Sequence, residues 1–144
     1  IKWFALDYIG LMKLKGKDAH GKTRENIVSE IAAEVKNIAK EFDLICFELS
    51  QLNRAKETGE TKPKLHHLKD SGALEANADV VIFPYRPEYH GIRDIDGVST
   101  KGFAEFIIAK NRFGPLKNLA GRYHHSFTAF TDHEEGLELD TEPF

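Results

Sequence analysis

Residues 24–51, RENIVSEIAAEVKNIAKEFDLICFELSQ, carry two hydrophobic periods in succession. In the first part Val28, Ile31, Val35, Ile38 and Phe42 recur at alternating spacings of three and four, which lines one face of an α-helix over 24–42. Thr23 stands where a side-chain N-cap belongs, and Glu25 suits the positive end of the helix dipole. The second part, residues 44–50, reads as an apolar strand broken outward by Glu48. An earlier apolar run, residues 2–9, reads as a buried strand that ends near Asp7. Strand, helix and strand within roughly 50 residues make a βαβ unit, and its two strands are therefore parallel.

On either side of this unit the pattern is less regular. The segment between the first strand and the helix is polar, with Lys13, Lys15, Lys17 and Lys22 around Gly16 and Gly21, and suits a surface loop. A second polar stretch, 53–64, contains Gly59 and Pro63. A short helical piece is expected over Gly72–Ala76. Val80-Val81-Ile82-Phe83 reads as a third buried strand, stopped by Pro84 and Pro87. Then the rhythm changes: 103–110, 118–124 and 126–130 are short strand candidates, with Gly114-Pro115 as a strong turn signal. The expected fold class is α/β, with parallel strands, a βαβ crossover and an antiparallel extension at the sheet edge. From His133 onward apolar content is too low to pack, so residues 132–144 are expected to form an acidic, disordered tail.

A chain of 144 residues fits one modest domain with a real core. No apolar stretch approaches the roughly 18 residues that span a bilayer, so no membrane partner is expected. The single cysteine, Cys46, excludes an internal disulfide and a multi-cysteine zinc site; it reads as buried packing in a reducing, cytoplasmic setting. A net charge of −3 gives no global basic field, so any nucleic-acid binding must come from local loops. The chain opens on Ile1-Lys2-Trp3, already inside a strand and without an initiator Met, which reads as the continuation of a longer polypeptide.

Asp7 ends a strand, and in open α/β sheets ligands lie beyond the carboxyl ends of strands. An acid there can hold Mg²⁺ directly or through water. Gln51, after Ser50, occupies the corresponding place on the next parallel strand, where an uncharged amide can bond a phosphate oxygen or an attacking water. Lys110 and Arg112 precede the Gly-Pro turn and could neutralise phosphate charge as an arginine finger does. Each has a plain reading too: an acid capping a turn, a loop amide, two solvated cations. Two polar groups at neighbouring parallel strand ends make a shared site the better reading. Two loops are basic: Lys13, Lys15, Lys17, Lys22 and Arg24 in one, and Arg54, Lys56, Lys62, Lys64 and Lys69 in the other, diluted by Glu57, Glu60 and Asp70. Both could meet phosphodiester backbone, and Gly72, opening a helix, would offer backbone N–H groups to a phosphate. The histidine pairs His66-His67 and His124-His125 are adjacent, so they point apart on a strand and receive no metal.

Four blocks then resemble, in order and spacing, the C-terminal motor domain of DnaB-type replicative DNA helicases: Asp7-Tyr8-Ile9; Leu49-Ser50-Gln51-Leu52-Asn53-Arg54; Lys69-Asp70-Ser71-Gly72-Ala73-Leu74-Glu75-Ala76-Asn77-Ala78-Asp79; and Ile107-Ile108-Ala109-Lys110-Asn111-Arg112-Phe113-Gly114-Pro115. The resemblance assigns residues 1–131 to the C-terminal part of a RecA-like P-loop NTPase core. It implies that Asp7 is the Walker B acid binding Mg²⁺ and that Gln51 senses the γ-phosphate of ATP. Lys110 and Arg112 would act in trans on a neighbour's nucleotide, and the residues around Arg54, Lys69, Asp70 and Gly72 would hold single-stranded DNA. It also implies an ATP-dependent helicase working as a homo-hexamer, with primase and a helicase loader as partners. Two positions depart from the common pattern: Ile9-Gly10 stands where Leu-Gln is usual, and Lys69-Asp70-Ser71-Gly72 where Arg-Glu-Ser-Gly is usual. Lysine binds phosphate as a point charge rather than a fork.

The Gly-x-x-x-x-Gly-Lys-Ser/Thr spacing of a phosphate-cradling loop occurs once in the chain, over residues 16–23, but downstream of Asp7, so it is not read as that loop. In the family that loop lies upstream of Asp7, and its strand lies between the one ending at Gln51 and the one at 80–83. A sheet built from this chain alone would carry a gap there, and the chain alone is expected neither to hydrolyse ATP nor to fold stably. The rival readings are a RecA/RadA-like recombination ATPase, against which the Lys110-to-Arg112 spacing argues, and a non-catalytic DNA-binding or loader-docking fragment.

Overall fold

A computed structural model describes residues 1–14, 21–52, 62–68 and 71–132. Expectations for Lys15, Gly16, Lys17, Arg54, Lys56, Glu57, Gly59, Glu60, Lys69, Asp70 and the tail beyond Asp132 fall outside the described residues. The chain divides into two compact units, Ile1–Glu57 with Leu65–Ala78, and Thr58–Lys64 with Asp79–Phe144.

In the first unit β1 (Trp3–Leu6) and β2 (Ile45–Glu48) pair in parallel, Trp3 opposite Ile45 and Leu6 opposite Glu48. The crossover is α1 (Arg24–Glu41). Thr23 caps it as expected, its hydroxyl oxygen accepting the Asn26 N–H at 3.3 Å. At the other end the Leu44 N–H bonds the Ala39 carbonyl at 2.8 Å while Asp43 takes φ 50, a left-handed stop made with aspartate instead of glycine. Val28, Ile31, Ala32 and Val35 are buried with Ile9 and with Leu74 of α2 (Ser71–Asn77), and Phe4, Leu6 and Cys46 pack against them. Ile38 and Phe42, 43% and 62% exposed, leave the expected stripe. Positions 28, 31, 35, 38 and 42 follow a 3.5-residue period, which drifts about 20° per heptad around a straight helix, and Ala32 takes their place in the core. The two strands are half-buried rather than buried, because Trp3, Ala5, Ile45 and Phe47 face outward. Burial, then the nearby Glu48, pushes the Cys46 thiol up to about 11, so at neutral pH it is a protonated packing group. Desolvation raises the Glu48 carboxyl above its usual range, with Lys36 pulling the other way.

His66 and His67 lie in a 3₁₀ turn, Leu65–His67, not on a strand. Their rings therefore meet edge to face at 4.2 Å instead of pointing apart.

The second unit begins with β3 (Val80–Tyr85). Its burial alternates, with Val81, Phe83 and Tyr85 inward and Val80 and Ile82 outward, so this strand too is covered on one face only. It runs through Pro84 rather than stopping there, which an edge strand permits because one side needs no donor. A small hairpin follows, β4 (Asp94–Ile95) and β5 (Val98–Ser99), turning at Asp96 and Gly97 with φ 52 and 80. Asp-Gly is a hairpin signal, and the sequence reading passed over it. Then β6 (Phe103–Asn111), β7 (Lys117–His124) and β8 (Ala129–Asp132) complete an antiparallel sheet of order β3-β6-β7-β8. The last strand starts at Ala129 instead of 126, after a turn in which Thr128 takes φ 51. Phe103, Ala104 and Ile107 join Val81, Phe83 and Tyr85 among the buried residues. The antiparallel strands extend from β3, while β1 and β2 form a sheet of their own.

Candidate functional site

Because β1 and β2 are parallel, both chains leave the sheet at the same edge. Pairing continues past the strand ends: the Leu49 N–H bonds the Leu6 carbonyl at 3.0 Å, and the Ile9 N–H bonds the Leu49 carbonyl at 3.1 Å. Asp7-Tyr8 and Ser50-Gln51 therefore emerge side by side. Tyr8, Gly10, Arg24, Ser50, Gln51 and Leu74 line a shallow cleft of about 80 Å³. Asp7 is exposed and does not line that cleft, although the next residue does. The Asp7–Tyr8 peptide is cis. A Cβ at Gly10 would come 2.5 Å from Cε2 of Tyr8, so a larger residue here needs the tyrosine ring to shift.

Arg24 belongs to the basic loop by sequence, but it has a different task. It donates to the Met12 carbonyl at 2.9 Å and to the Gly10 carbonyl, tying the segment after Asp7 to the first turn of α1. Lys22 ion-pairs with Glu30 at 2.6 Å. These two cations hold the fold locally rather than standing ready for phosphodiester.

In the second unit, Lys110 lies on β6 and Arg112 just beyond its end. The β3–β6 register slips between Val81, opposite Lys110, and Ile82, opposite Ile108, leaving Ala109 as an extra residue. Such a bulge bends a strand and re-aims its side chains, and this one immediately precedes Lys110. The turn after it is built by Asn111, whose Oδ1 accepts the Phe113 N–H at 3.3 Å and whose Nδ2 donates to the Pro115 carbonyl at 3.2 Å. Gly114 fits because a Cβ would come 2.7 Å from that Nδ2. Arg112 bonds Asp79 twice, through its backbone N–H to the carbonyl at 2.8 Å and through Nη1 to Oδ1 at 3.0 Å.

Two acids in this unit escaped the sequence reading. Glu105 is buried on β6 and pairs with Lys62 at 3.1 Å; an acid inside Phe103-Ala104-Glu105-Phe106 was the available signal. Glu88 accepts the Gly102 N–H at 3.0 Å and lies 3.1 Å from Nε2 of His125, and these contacts hold its carboxyl below the usual range. Of the residues expected to meet DNA, Gly72 lies in the first turn of α2, where a side chain would meet open space. Arg54, Lys69 and Asp70 are outside the described residues. Among the described residues no three His, Cys, Asp or Glu side chains are grouped to hold a metal.

Residues 1–132 match the family model described as DnaB-like helicase C terminal domain. The replicative DNA helicase DnaB of Rickettsia typhi is 36% identical over 144 aligned residues, covering 90% of this chain. A solved DnaB-like replicative helicase, studied with its interactions with primase, superposes with a TM-score of 0.79 at 30% identity, covering 92% of this chain and 30% of that one. A second solved structure, an ATPase domain, superposes with a TM-score of 0.80 at 30% identity, covering 92% of this chain and 44% of that one. The fold class is accordingly the mixed α/β, RecA-like arrangement. The chain spans 27–29% of the length of the curated relatives it matches first.

Proposed function

The chain belongs to the DnaB-like helicase C-terminal domain family, and from this membership we propose that it is part of an ATP-dependent replicative DNA helicase. The whole protein would couple ATP hydrolysis to movement along single-stranded DNA and to duplex unwinding. In this reading residues 1–131 supply the C-terminal part of the motor, and the expected tail begins no earlier than 133, since Asp132 ends β8. What supports the reading is the common exit of two parallel strands, which brings Tyr8 and Gln51 to one cleft with Asp7 next in the chain.

The residues present suit Mg²⁺ and a triphosphate. Asp7 is an exposed carboxylate at a strand end, an oxygen donor of the kind Mg²⁺ prefers. Held there, Mg²⁺ would supply positive charge against the phosphates. Gln51, which can both donate and accept, orients the γ-phosphate or a water and passes the change into the chain that follows it. That chain reaches Arg54, which with Lys69, Asp70 and Gly72 holds the DNA backbone. Lys110 and Arg112 stabilise charge on the nucleotide of the adjacent subunit in a homo-hexamer. Primase and a loader are the expected partners, and the cytoplasm the expected compartment; among the described residues no helix is long and apolar enough to cross a membrane.

The test is Arg112→Ala in the full-length protein. DNA-stimulated ATPase activity should fall about a thousandfold while sedimentation still reports the assembled ring. Near-normal turnover would remove Arg112 from this role.

A further inference from the structure

We propose that Asp79 is the positioning residue for Arg112, holding its guanidinium in the orientation from which it serves a neighbour's nucleotide. The inference rests on the trans-acting role given to Arg112 above.

Asp79 lies between α2 and β3, 33 residues before the arginine it holds. Its two contacts act at opposite ends of Arg112. The carbonyl takes the backbone N–H at 2.8 Å, which prolongs the β3–β6 ladder one residue beyond Val80 and Asn111. The carboxylate takes Nη1 at 3.0 Å. One residue thus holds both the root and the tip of a long, rotamer-rich side chain. A guanidinium carries five N–H donors in a rigid fork, so a bond through Nη1 orients the whole fork.

The pair is a poor stabiliser of the fold. Both side chains are more than a third exposed, and ion pairs at such sites add little to folding. Placement is where the contact matters, because a small displacement of a group aimed at a reacting phosphate is costly in rate. The local build agrees: the bulge at Ala109, the Asn111-braced turn and Gly114 all shape the backbone within a few residues of Arg112. Asp79 is an ion-pair partner of its charged end.

The experiment measures DNA-stimulated ATPase activity in the full-length protein. Asp79→Ala should lower kcat about ten- to a hundredfold, with KM for ATP and ring assembly unchanged. Asp79→Asn, which keeps the accepting oxygen, should recover most of that loss. In the Arg112→Ala background, Asp79→Ala should add nothing. Rings mixed from Asp79→Ala subunits and Asp7→Asn subunits should turn over faster per Asp79→Ala subunit than rings of Asp79→Ala alone. The reason is that an Asp7→Asn neighbour still presents a well-held Arg112.

Turnover at or above the parental rate in Asp79→Ala, with Arg112→Ala collapsed, would overturn the proposal and leave the role of Arg112 standing. An equal loss in both backgrounds, or no gain in mixed rings, would also overturn it by making Asp79 merely structural. If Asp79→Ala does not assemble, Asp79→Asn and its mixed rings decide by the same criteria. Near-normal activity in Arg112→Ala is the separate outcome that removes the earlier reading itself.

Discussion

In the parallel pair, Phe4, Leu6 and Cys46 turn toward α1, while Trp3, Ile45 and Phe47 each stay more than half exposed. In the antiparallel sheet, β6 buries Phe103, Ala104, Glu105 and Ile107 between β3 and β7. The contrast runs against the usual pattern. Antiparallel strands find partners through short turns and can leave one face to water, whereas parallel strands need a crossover and are ordinarily covered on both faces. The chemistry divides along the same line. The parallel pair gathers an acid and an amide at its strand exits, and the antiparallel sheet carries one cation near the end of a hairpin strand and another just past it.

The largest expected effect lies in the antiparallel sheet. Ile107→Ala should destabilise the full-length protein by about 2–5 kcal/mol in urea denaturation, as large-to-small changes in a packed core do. A loss below that range would mean that β6 is no better packed than β1. A matched pair of glycine changes separates the regions by consequence. A Cβ at Gly121 would come 2.9 Å from Cε2 of Phe106, whose ring meets Phe130 edge to face, so Gly121→Ala should cost about 1–3 kcal/mol in the same assay. Gly10→Ala should instead displace the Tyr8 ring and reduce ATPase activity with a smaller loss of stability; the opposite ranking would erase the distinction.

The open face offers a further test. Trp3→Lys with Phe47→Lys should make the isolated chain less prone to associate, because a contiguous exposed apolar patch drives association. Unchanged light scattering would show that this face is not what makes the chain sticky.

The smallest effect is a difference of sign with pH. Glu88 is held below its usual 4.5, chiefly by the Gly102 N–H and then by His125. Its contribution to stability is therefore present above 4.5 and lost as pH falls through the lower folded value. Glu48 is raised above 4.5 by desolvation, so its contribution is present below 4.5 and lost as pH rises through the higher folded value. Amide exchange should show protection moving in opposite directions in the two units across this range. Glu88→Gln and Glu48→Gln should each flatten one of the trends, and parallel trends would contradict the assignment.

Much of this was legible in the residues because it is local. Hydrophobic spacing over 24–42 found α1 within a residue, Thr23 marked its start, and the βαβ reading put the first two strands in parallel. Errors arose where a partner chooses between local options. Pro84 looks like a terminator until β3 proves to be an edge strand. Ile38 belongs to the apolar period but falls outside the buried stripe. His66-His67 looks extended until the chain turns there. The Asp96-Gly97 hairpin was readable and was missed.

Periodicity and side-chain chemistry were enough to establish the main elements, the parallel sense of β1 and β2 and the kinds of group available at their ends. Each of these follows from short-range spacing and from what a side chain can donate or accept. Folding in three dimensions was needed to make Ala109 a bulge, to bring Glu105 to Lys62 and to place Arg112 in the grip of Asp79. Those contacts join residues dozens of positions apart, and their register depends on how whole strands pair, which no local window of residues encodes.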